Sequence, residues 1–472
     1  MNYPYWDVPH LGSGWVIGLI AIYHVMISHF AVGGGLYLPV AERKALREGR
    51  QDWMERLRKH SKFFLVLTGV FGAVSGVGIW FAIGLANPEA TSALIHNFVF
   101  GWAMEWVFFI VELSTAAVYY YTWDRVSPEL HLKIGWVYAI ASFFTLFIIN
   151  GILAFMLMPG DSWLAVAGTG HEATRFWQAF FNPTYWPNLM MRTLVCTSLA
   201  GIWALVSYSR IDGDKFPELK TELIRWSAKW LVPSFALLPV ALGWYLWTVP
   251  ESQRVLLSLG INTIGTGAFT QVTRTALIIV MTSATIVGVV YFMAWRFPRE
   301  FNFGHACAVL VLGLMATASG EGAREMLRKP YVIGHYMYSN GVRVERADTP
   351  EKRAQSYLAH SLWVDQRPGA NTNLAVGEAM FRGECGSCHT RDGYRSMKGF
   401  MAERNREAIG SFLGILHEYS TNSTYRAYMP PLVGTTNEIQ ALGDYLASLK
   451  GTNVPVAKTV VEPAAKTLAE NR

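Results

Sequence analysis

Cys385-Gly386-Ser387-Cys388-His389 is the stretch that places this chain in space. Two cysteines two residues apart, followed at once by a histidine, form the attachment pattern of a c-type haem. The thiols add to the porphyrin vinyl groups and the imidazole takes one axial position on iron. About forty residues on, Tyr428-Met429-Pro430-Pro431 offers a thioether in a loop that prolines keep from becoming helix. A disulfide or a redox Cys-x-x-Cys is the blander reading; the adjoining histidine and the spaced methionine weigh against it. A haem so attached lies on the oxidising, extracytoplasmic face, and everything upstream must deliver it there.

The chain is 52% hydrophobic and only 16% charged, less charge than a soluble domain carries. The net charge of +6 is modest, and four cysteines leave no disulfide scaffold. Cys196 and Cys307 sit in apolar runs and read as packed thiols. No nucleic-acid partner is expected. The first apolar run is too long for a cleavable signal and lacks a basic leader. Residues 1–13, aromatic and Pro-containing, read as an interfacial segment.

Eight stretches are long and apolar enough to cross a bilayer: 14–40, 63–86, 97–122, 133–158, 187–209, 228–247, 272–295 and 303–320. The basic residues between them set the orientation. The first loop holds Arg43, Lys44, Arg47, Arg50, Arg56, Arg58, Lys59 and Lys62; the third, fifth and seventh add Arg125, then Arg210, Lys215, Lys220 and Arg225, then Arg296 and Arg299. The even loops carry only Arg175, Arg254 and Arg274. Odd loops therefore face the cytoplasm and both termini lie outside, in agreement with the haem motif. The expected fold class is all-α: a polytopic membrane bundle of about eight helices followed by a small class I-type cytochrome c domain. Its divisions are a haem-binding bundle over 1–330, a linker over 331–370, the cytochrome c domain over 371–451 and a disordered tail over 452–472. Helices are expected over 374–381, leading into the haem motif, and over 438–449.

An ionisable side chain in hydrocarbon costs roughly 3 kcal/mol at a helix centre, so each needs a reason. Glu105 and Glu112 stand nearly two turns apart on one face of the third helix. His24 and His29, five residues apart, face different sides of the first, and Glu321 and Glu325 are one turn apart at the end of the eighth. Singly, Glu112 reads as a carboxyl bonded to a neighbouring helix and His29 as a satisfied core histidine. Together these groups favour metal ligation and a proton path. His24, Glu105 and Glu325 fall in the outer half, His29 and Glu112 near mid-membrane.

These residues resemble subunit I of the cytochrome bd quinol oxidases. Tyr23-His24 before a Gly-rich run looks like that family's first helix, where the histidine is an axial ligand of an active-site haem. Glu112-Leu113-Ser114-Thr115, ending in Trp123-Asp124-Arg125-Val126-Ser127, looks like its third helix, whose inner glutamate serves the proton path; the outer ligand glutamate falls one residue from Glu105. Glu325, then Arg328-Lys329-Pro330-Tyr331, looks like the family's Glu-x-x-Arg-Gln-Pro-Trp signature, in which the glutamate binds the second active-site haem and the arginine neutralises propionates. The resemblance implies one or more membrane haems, b and/or d type, and a second membrane subunit.

The departures are informative. The family's low-spin b haem uses a His and a Met where this chain has Arg192 and Ala276. The quinol-binding loop is reduced to about 249–271 and the ninth helix gives way to the haem c segment. Three functions stay open. One is a bd-like terminal reductase in the bacterial inner membrane, taking electrons from a periplasmic cytochrome c or other donor through haem c to membrane haems that reduce O2, or NO. Another is an electron-transfer subunit moving electrons between quinol and haem c. The third is a membrane anchor for haem c with vestigial sites.

Overall fold

A computed structural model describes residues 6, 8–249, 271–361 and 372–450 of the chain. Among the described residues eight helices have the length and apolarity of membrane spans: α1 Ser13–Arg47, α2 Gln51–Ala86, α3 Val99–Tyr121, α4 Pro128–Leu157, α5 Tyr185–Tyr208, α6 Pro217–Thr248, α7 Thr273–Arg296 and α8 Phe303–Arg328. All eight expected stretches are thus helical. The segment 249–271, where the reduced quinol loop is expected, lies outside the described residues for 250–270, as does the tail 452–472.

Several helices outrun their apolar stretch. Arg56, Arg58, Lys59 and Lys62, expected in a loop, lie on α2. The helix continues there because Trp53, Leu57, His60, Ser61 and Phe64 bury one face at three- and four-residue spacing. A π-helical stretch, Leu67–Gly72, interrupts α2. α4 begins sharply, with Ser127 Oγ accepting from the Leu130 amide at 3.3 Å and Pro128 at the first helical position. α1 and α5 approach closely at Gly33, where a Cβ would lie 2.0 Å from the Cys196 carbonyl oxygen. The bundle's main core gathers Tyr37, Trp53, Leu57, Phe64, Tyr119, Tyr138 and Tyr208.

The chain divides into two compact units: Ile20–Ile79 with Ile95–Leu327, and Met1–Leu19 with Trp80–Leu94 and Arg328–Arg472. The second contains two antiparallel strands, β1 Tyr331–Ile333 and β2 Met337–Tyr338, and the helices α9 Asn373–Met380, α10 Arg406–Glu418 and α11 Thr436–Ser448. α11 opens with a capping box of Thr435 and Glu438. α9 meets α11 at Gly377, whose hypothetical Cβ would sit 2.1 Å from the Ala441 carbonyl oxygen, so only glycine permits the approach.

The described part of the expected linker makes tertiary hydrogen bonds of its own. Arg353 donates to the carbonyls of Ala347, His417 and Glu418 at 2.9, 2.7 and 2.8 Å. Glu438 accepts from Ser356 and from the amides of Tyr357 and Leu358. Within this unit Ser13 Oγ donates to the Gly386 carbonyl at 3.2 Å and the Tyr394 amide to the His10 carbonyl at 2.8 Å.

Candidate functional site

In the C-terminal unit a π-helical turn, Phe381–Cys385, carries the first motif cysteine out of α9. The loop behind His389 is braced by its own side chains. Thr390 Oγ1 donates to the Tyr394 carbonyl at 2.8 Å and accepts from the Gly393 amide at 2.9 Å, and Ser396 Oγ donates to the Arg391 carbonyl at 3.0 Å. That bracing sets the Arg395 carbonyl 3.1 Å from His389 Nδ1. A carbonyl only accepts, so Nδ1 carries the proton and Nε2 keeps its lone pair, the form an axial ligand requires. Burial, together with Arg395 and Lys329, holds this imidazole below its ordinary pKa.

Cys385 and Met429 both pack on one apolar cluster built from Met380, Phe381, Met401, Phe412, Leu442 and Leu446. Met429 is held by its backbone: its amide donates to the Tyr425 carbonyl at 2.8 Å and its carbonyl accepts from Tyr419 Oη at 3.1 Å. His417 Nδ1 lies 3.0 Å from the Leu432 carbonyl. Burial would raise the Cys388 thiol, but Lys329 and Ser387 hold it below the ordinary value, whereas burial pushes Cys385 up. Glu384 is 7% exposed, accepts from Asn340 Nδ2 at 2.6 Å, and is pushed well up by burial.

In the bundle, His24 Nδ1 lies 2.8 Å from Ser75 Oγ. The single serine hydrogen goes to the Phe71 carbonyl at 2.6 Å, so His24 donates and its Nε2 is free to ligate. His29, 4% exposed, donates from Nδ1 to the Val25 carbonyl at 2.6 Å and is within electrostatic reach of Arg192 and Glu321. The two histidines thus have separate partners, as their spacing implies. Glu112, 3% exposed, accepts from Ser142 Oγ at 2.9 Å, while Glu105 is half-buried on the same helix.

Glu325 is part of a chain of charges. Arg192 Nη2 is 3.2 Å from Glu321 Oε1; Arg324 Nε is 3.0 Å from Glu321 Oε2, and its Nη2 3.0 Å from Glu325 Oε1. Arg192 also donates to Asn188 Oδ1 at 3.2 Å and is 5% exposed. Arg328, 7% exposed, falls in the other compact unit.

Two groups escaped the sequence reading. Arg324 hides between the two glutamates of α8. Glu42, wholly buried, accepts from Tyr119 Oη at 2.7 Å and sits 2.7 Å from His131 Nδ1, while His131 Nε2 donates to the Tyr119 carbonyl at 2.9 Å. Glu42 adjoins Arg43 and Lys44 in sequence and read as loop; only the buried stretch of α1 around Leu38 and Ala41 marks it as internal. Among the described residues no group of three or more His, Cys, Asp or Glu could hold a bare metal ion. His24 and His389 each have Nδ1 engaged, which leaves Nε2 as the nitrogen that could meet iron.

These features define a polytopic α-helical membrane protein with internal histidine and carboxylate positions suited to haem. Residues 13–249 match the cytochrome bd terminal oxidase subunit I family, and the chain belongs to that family. It is 25% identical over 181 residues to cytochrome bd-II ubiquinol oxidase subunit 1 of Escherichia coli (strain K12), a match covering 38% of this chain and about a third, 34%, of that relative's length. The bd oxidase structure from Geobacillus thermodenitrificans shares the fold with a TM-score of 0.56 at 16% identity, over 68% of this chain and 87% of that one.

Proposed function

We propose that the chain is a terminal-reductase subunit that takes electrons at its C-terminal unit and delivers them to O2, with NO as a variant, inside the bundle. Haem bound covalently at Cys385 and Cys388 and between His389 and Met429 would supply one-electron carriage, and b- or d-type haem at His24 and Glu325 would supply the diatomic site. The chain's own part is to fix these ligands. Arg395 holds the His389 ring, Ser75 the His24 ring, and Arg328 is placed in sequence to meet propionates. Glu105 and Glu112 hold protons on one face of α3, with Ser142 donating to the inner carboxyl.

The reading places the protein in the bacterial inner membrane, with both termini and the haem c domain periplasmic, a periplasmic cytochrome c or similar donor, and a second membrane subunit as partner. The observation that carries it is the C-terminal unit itself: Cys385 and Met429 on one apolar cluster, with the His389 Nε2 lone pair left available. Reduced soluble cytochrome c, or ascorbate with a mediator, should drive O2 or NO consumption by the purified protein, and changing Cys385 and Cys388 together to Ala should abolish it.

The relative named a ubiquinol oxidase motivates a second reading, in which quinol is oxidised and haem c passes electrons on. Buried Arg192, already committed to Glu321 and Asn188 where the resemblance puts a haem-ligating His, weighs against it. Fast, inhibitor-sensitive, O2-independent reduction of haem c by quinol would establish that second reading instead.

A further inference from the structure

His60 of α2 is 3% exposed, and neither of its ring nitrogens has a hydrogen-bond partner among the described residues. It lies on the stretch of α2 that adjoins the basic first loop. Tyr37 of α1 and Tyr208 of α5 flank the ring, at centroid distances of 5.3 and 5.7 Å. Their side chains are buried to 0% and 1% exposure, and both hydroxyls are again without partners among the described residues. The Tyr37 hydroxyl faces Tyr208, Ser227 and the Trp226 indole as hydrogen-bonding neighbours, but none comes within ordinary bonding distance; Ser227 Oγ donates to the Leu223 carbonyl. A charged side chain, Arg56, is within reach of Tyr208.

Each buried polar group left unpaired costs about 1–3 kcal/mol. An imidazole without a partner, beside two phenols and an indole that reach one another only at long range, leaves hydrogen-bonding capacity unmet around one point. Donors and acceptors that face one another but stand too far apart to bond are what bridging water satisfies.

The pattern continues along the bundle. Thr68 Oγ1 of α2 and Tyr138 Oη of α4 are buried and face one another as hydrogen-bonding neighbours, beyond ordinary bonding distance. Tyr138 is in turn within reach of Glu112, which Ser142 bonds. Gly35 of α1 borders this step: a Cβ there would be 3.4 Å from Ser142 Oγ and 3.5 Å from Tyr138 Cζ. Two turns of α2 separate His60 from Thr68, about 12 Å of rise.

We propose that His60, Tyr37 and Tyr208 enclose a buried water site that passes protons from the basic-loop side of the bundle, past Tyr138 and Thr68, to the Glu112 carboxylate. A proton accepted from water at one His60 ring nitrogen is matched by one released from the other to the next water, so no charge accumulates. The protons are consumed in reducing O2. The use of the protons rests on the reductase reading; the water site does not.

The test has two arms on the full-length holoprotein. In hydroxyl-radical footprinting by X-ray pulse, Tyr37 and Tyr208 are oxidised despite their burial if water is bound beside them. Protection equal to that of buried Tyr185, whose hydroxyl bonds the Phe147 carbonyl, overturns the site. In the second arm His60→Phe lowers cytochrome-c-driven turnover about a hundredfold and raises the D2O isotope effect, with the haem c and CO-difference spectra unchanged. Turnover and isotope effect equal to wild type overturn the proton role. Should His60→Phe fail to load haem, Tyr37→Phe, which removes only a hydroxyl, decides by the same criteria. Wild-type protein that consumes neither O2 nor NO rejects the reductase reading and the proton role with it, while the footprint still decides the water site.

Discussion

In the C-terminal unit the important side chains lean on backbone. His389 donates to the Arg395 carbonyl, the Met429 carbonyl and amide are both held, and Arg353 ties three carbonyls together. In the bundle they lean on one another. Arg192 of α5, Glu321 and Arg324 of α8 form one chain of charges, and Glu42, Tyr119 and His131 bring α1, α3 and α4 together. A carbonyl cannot be mutated away, so the first kind of site tolerates loss of a neighbouring side chain better than loss of a ligand or of the packing beneath it. The second kind fails whenever any one member is lost, because a partner is left buried and charged. The two units should therefore respond differently to single substitutions.

The largest effect is expected at a ligand. His24→Ala should remove a membrane haem from the optical spectrum and leave the c-type band intact, whereas His29→Ala, which loses only a bond to its own helix, should keep both. The reverse result would reject the assignment of His24. Next comes the charge chain. Arg192→Ala leaves Glu321 short of one cation in a dry site and should destabilise the bundle by about 3–5 kcal/mol. Thermal inactivation of the solubilised protein measures it. Arg192→Met combined with Glu321→Gln should cost clearly less than the sum of the two single changes, since they share one interaction. Additive losses would show that the pair is not coupled.

A smaller effect should stay confined to the other unit. In Gly377→Ala the new methyl meets the Ala441 carbonyl oxygen at 2.1 Å and the Tyr445 Cβ at 2.6 Å. α9 and α11 must move apart, at about 1–3 kcal/mol by the cost of overpacking. Covalent haem c loading should fall while CO binding to the bundle persists. If CO binding fell in parallel, the two units would not be energetically separate.

The difference between the regions also explains what could be read from sequence. Eight spans were legible because each is a local property of composition, while Cys385, Cys388 and His389 stand together simply because they lie within five consecutive residues. Helix ends were less legible: α2 runs through Arg56, Arg58, Lys59 and Lys62 because a buried stripe persists where the apolar run has stopped. The linker's fold was hidden for another reason. Arg353 and Glu438 act there on partners that only tertiary structure brings near. Arg192 was legible as a departure from the family's pattern, but its pairing with Glu321 and its burial were not. Glu42, His131 and Tyr119 could not be joined from sequence, since nothing local says that the ends of three helices converge.

The smallest effect is the sharpest test of how the bundle positions a ligand. Ser75 Oγ accepts from His24 Nδ1 while giving its own hydrogen to the Phe71 carbonyl, so it fixes both the tautomer and the rotation of the ring. Ser75→Ala removes one hydrogen bond worth about 1 kcal/mol, too little to unfold α2 or to expel a haem. The haem content should therefore stay at wild type. What should move is the electronic environment of the iron, because an imidazole without its Nδ1 acceptor is a weaker donor and is free to turn. The membrane-haem band should broaden and its midpoint potential shift, with the haem c potential unchanged. Ser75→Thr, which retains the hydroxyl, should restore the wild-type values. A serine that merely fills space predicts the opposite pattern: Ala tolerated without spectral change and the bulkier Thr disruptive, since Gly76 already stands close to the His24 ring, its hypothetical Cβ 3.4 Å from His24 Cε1.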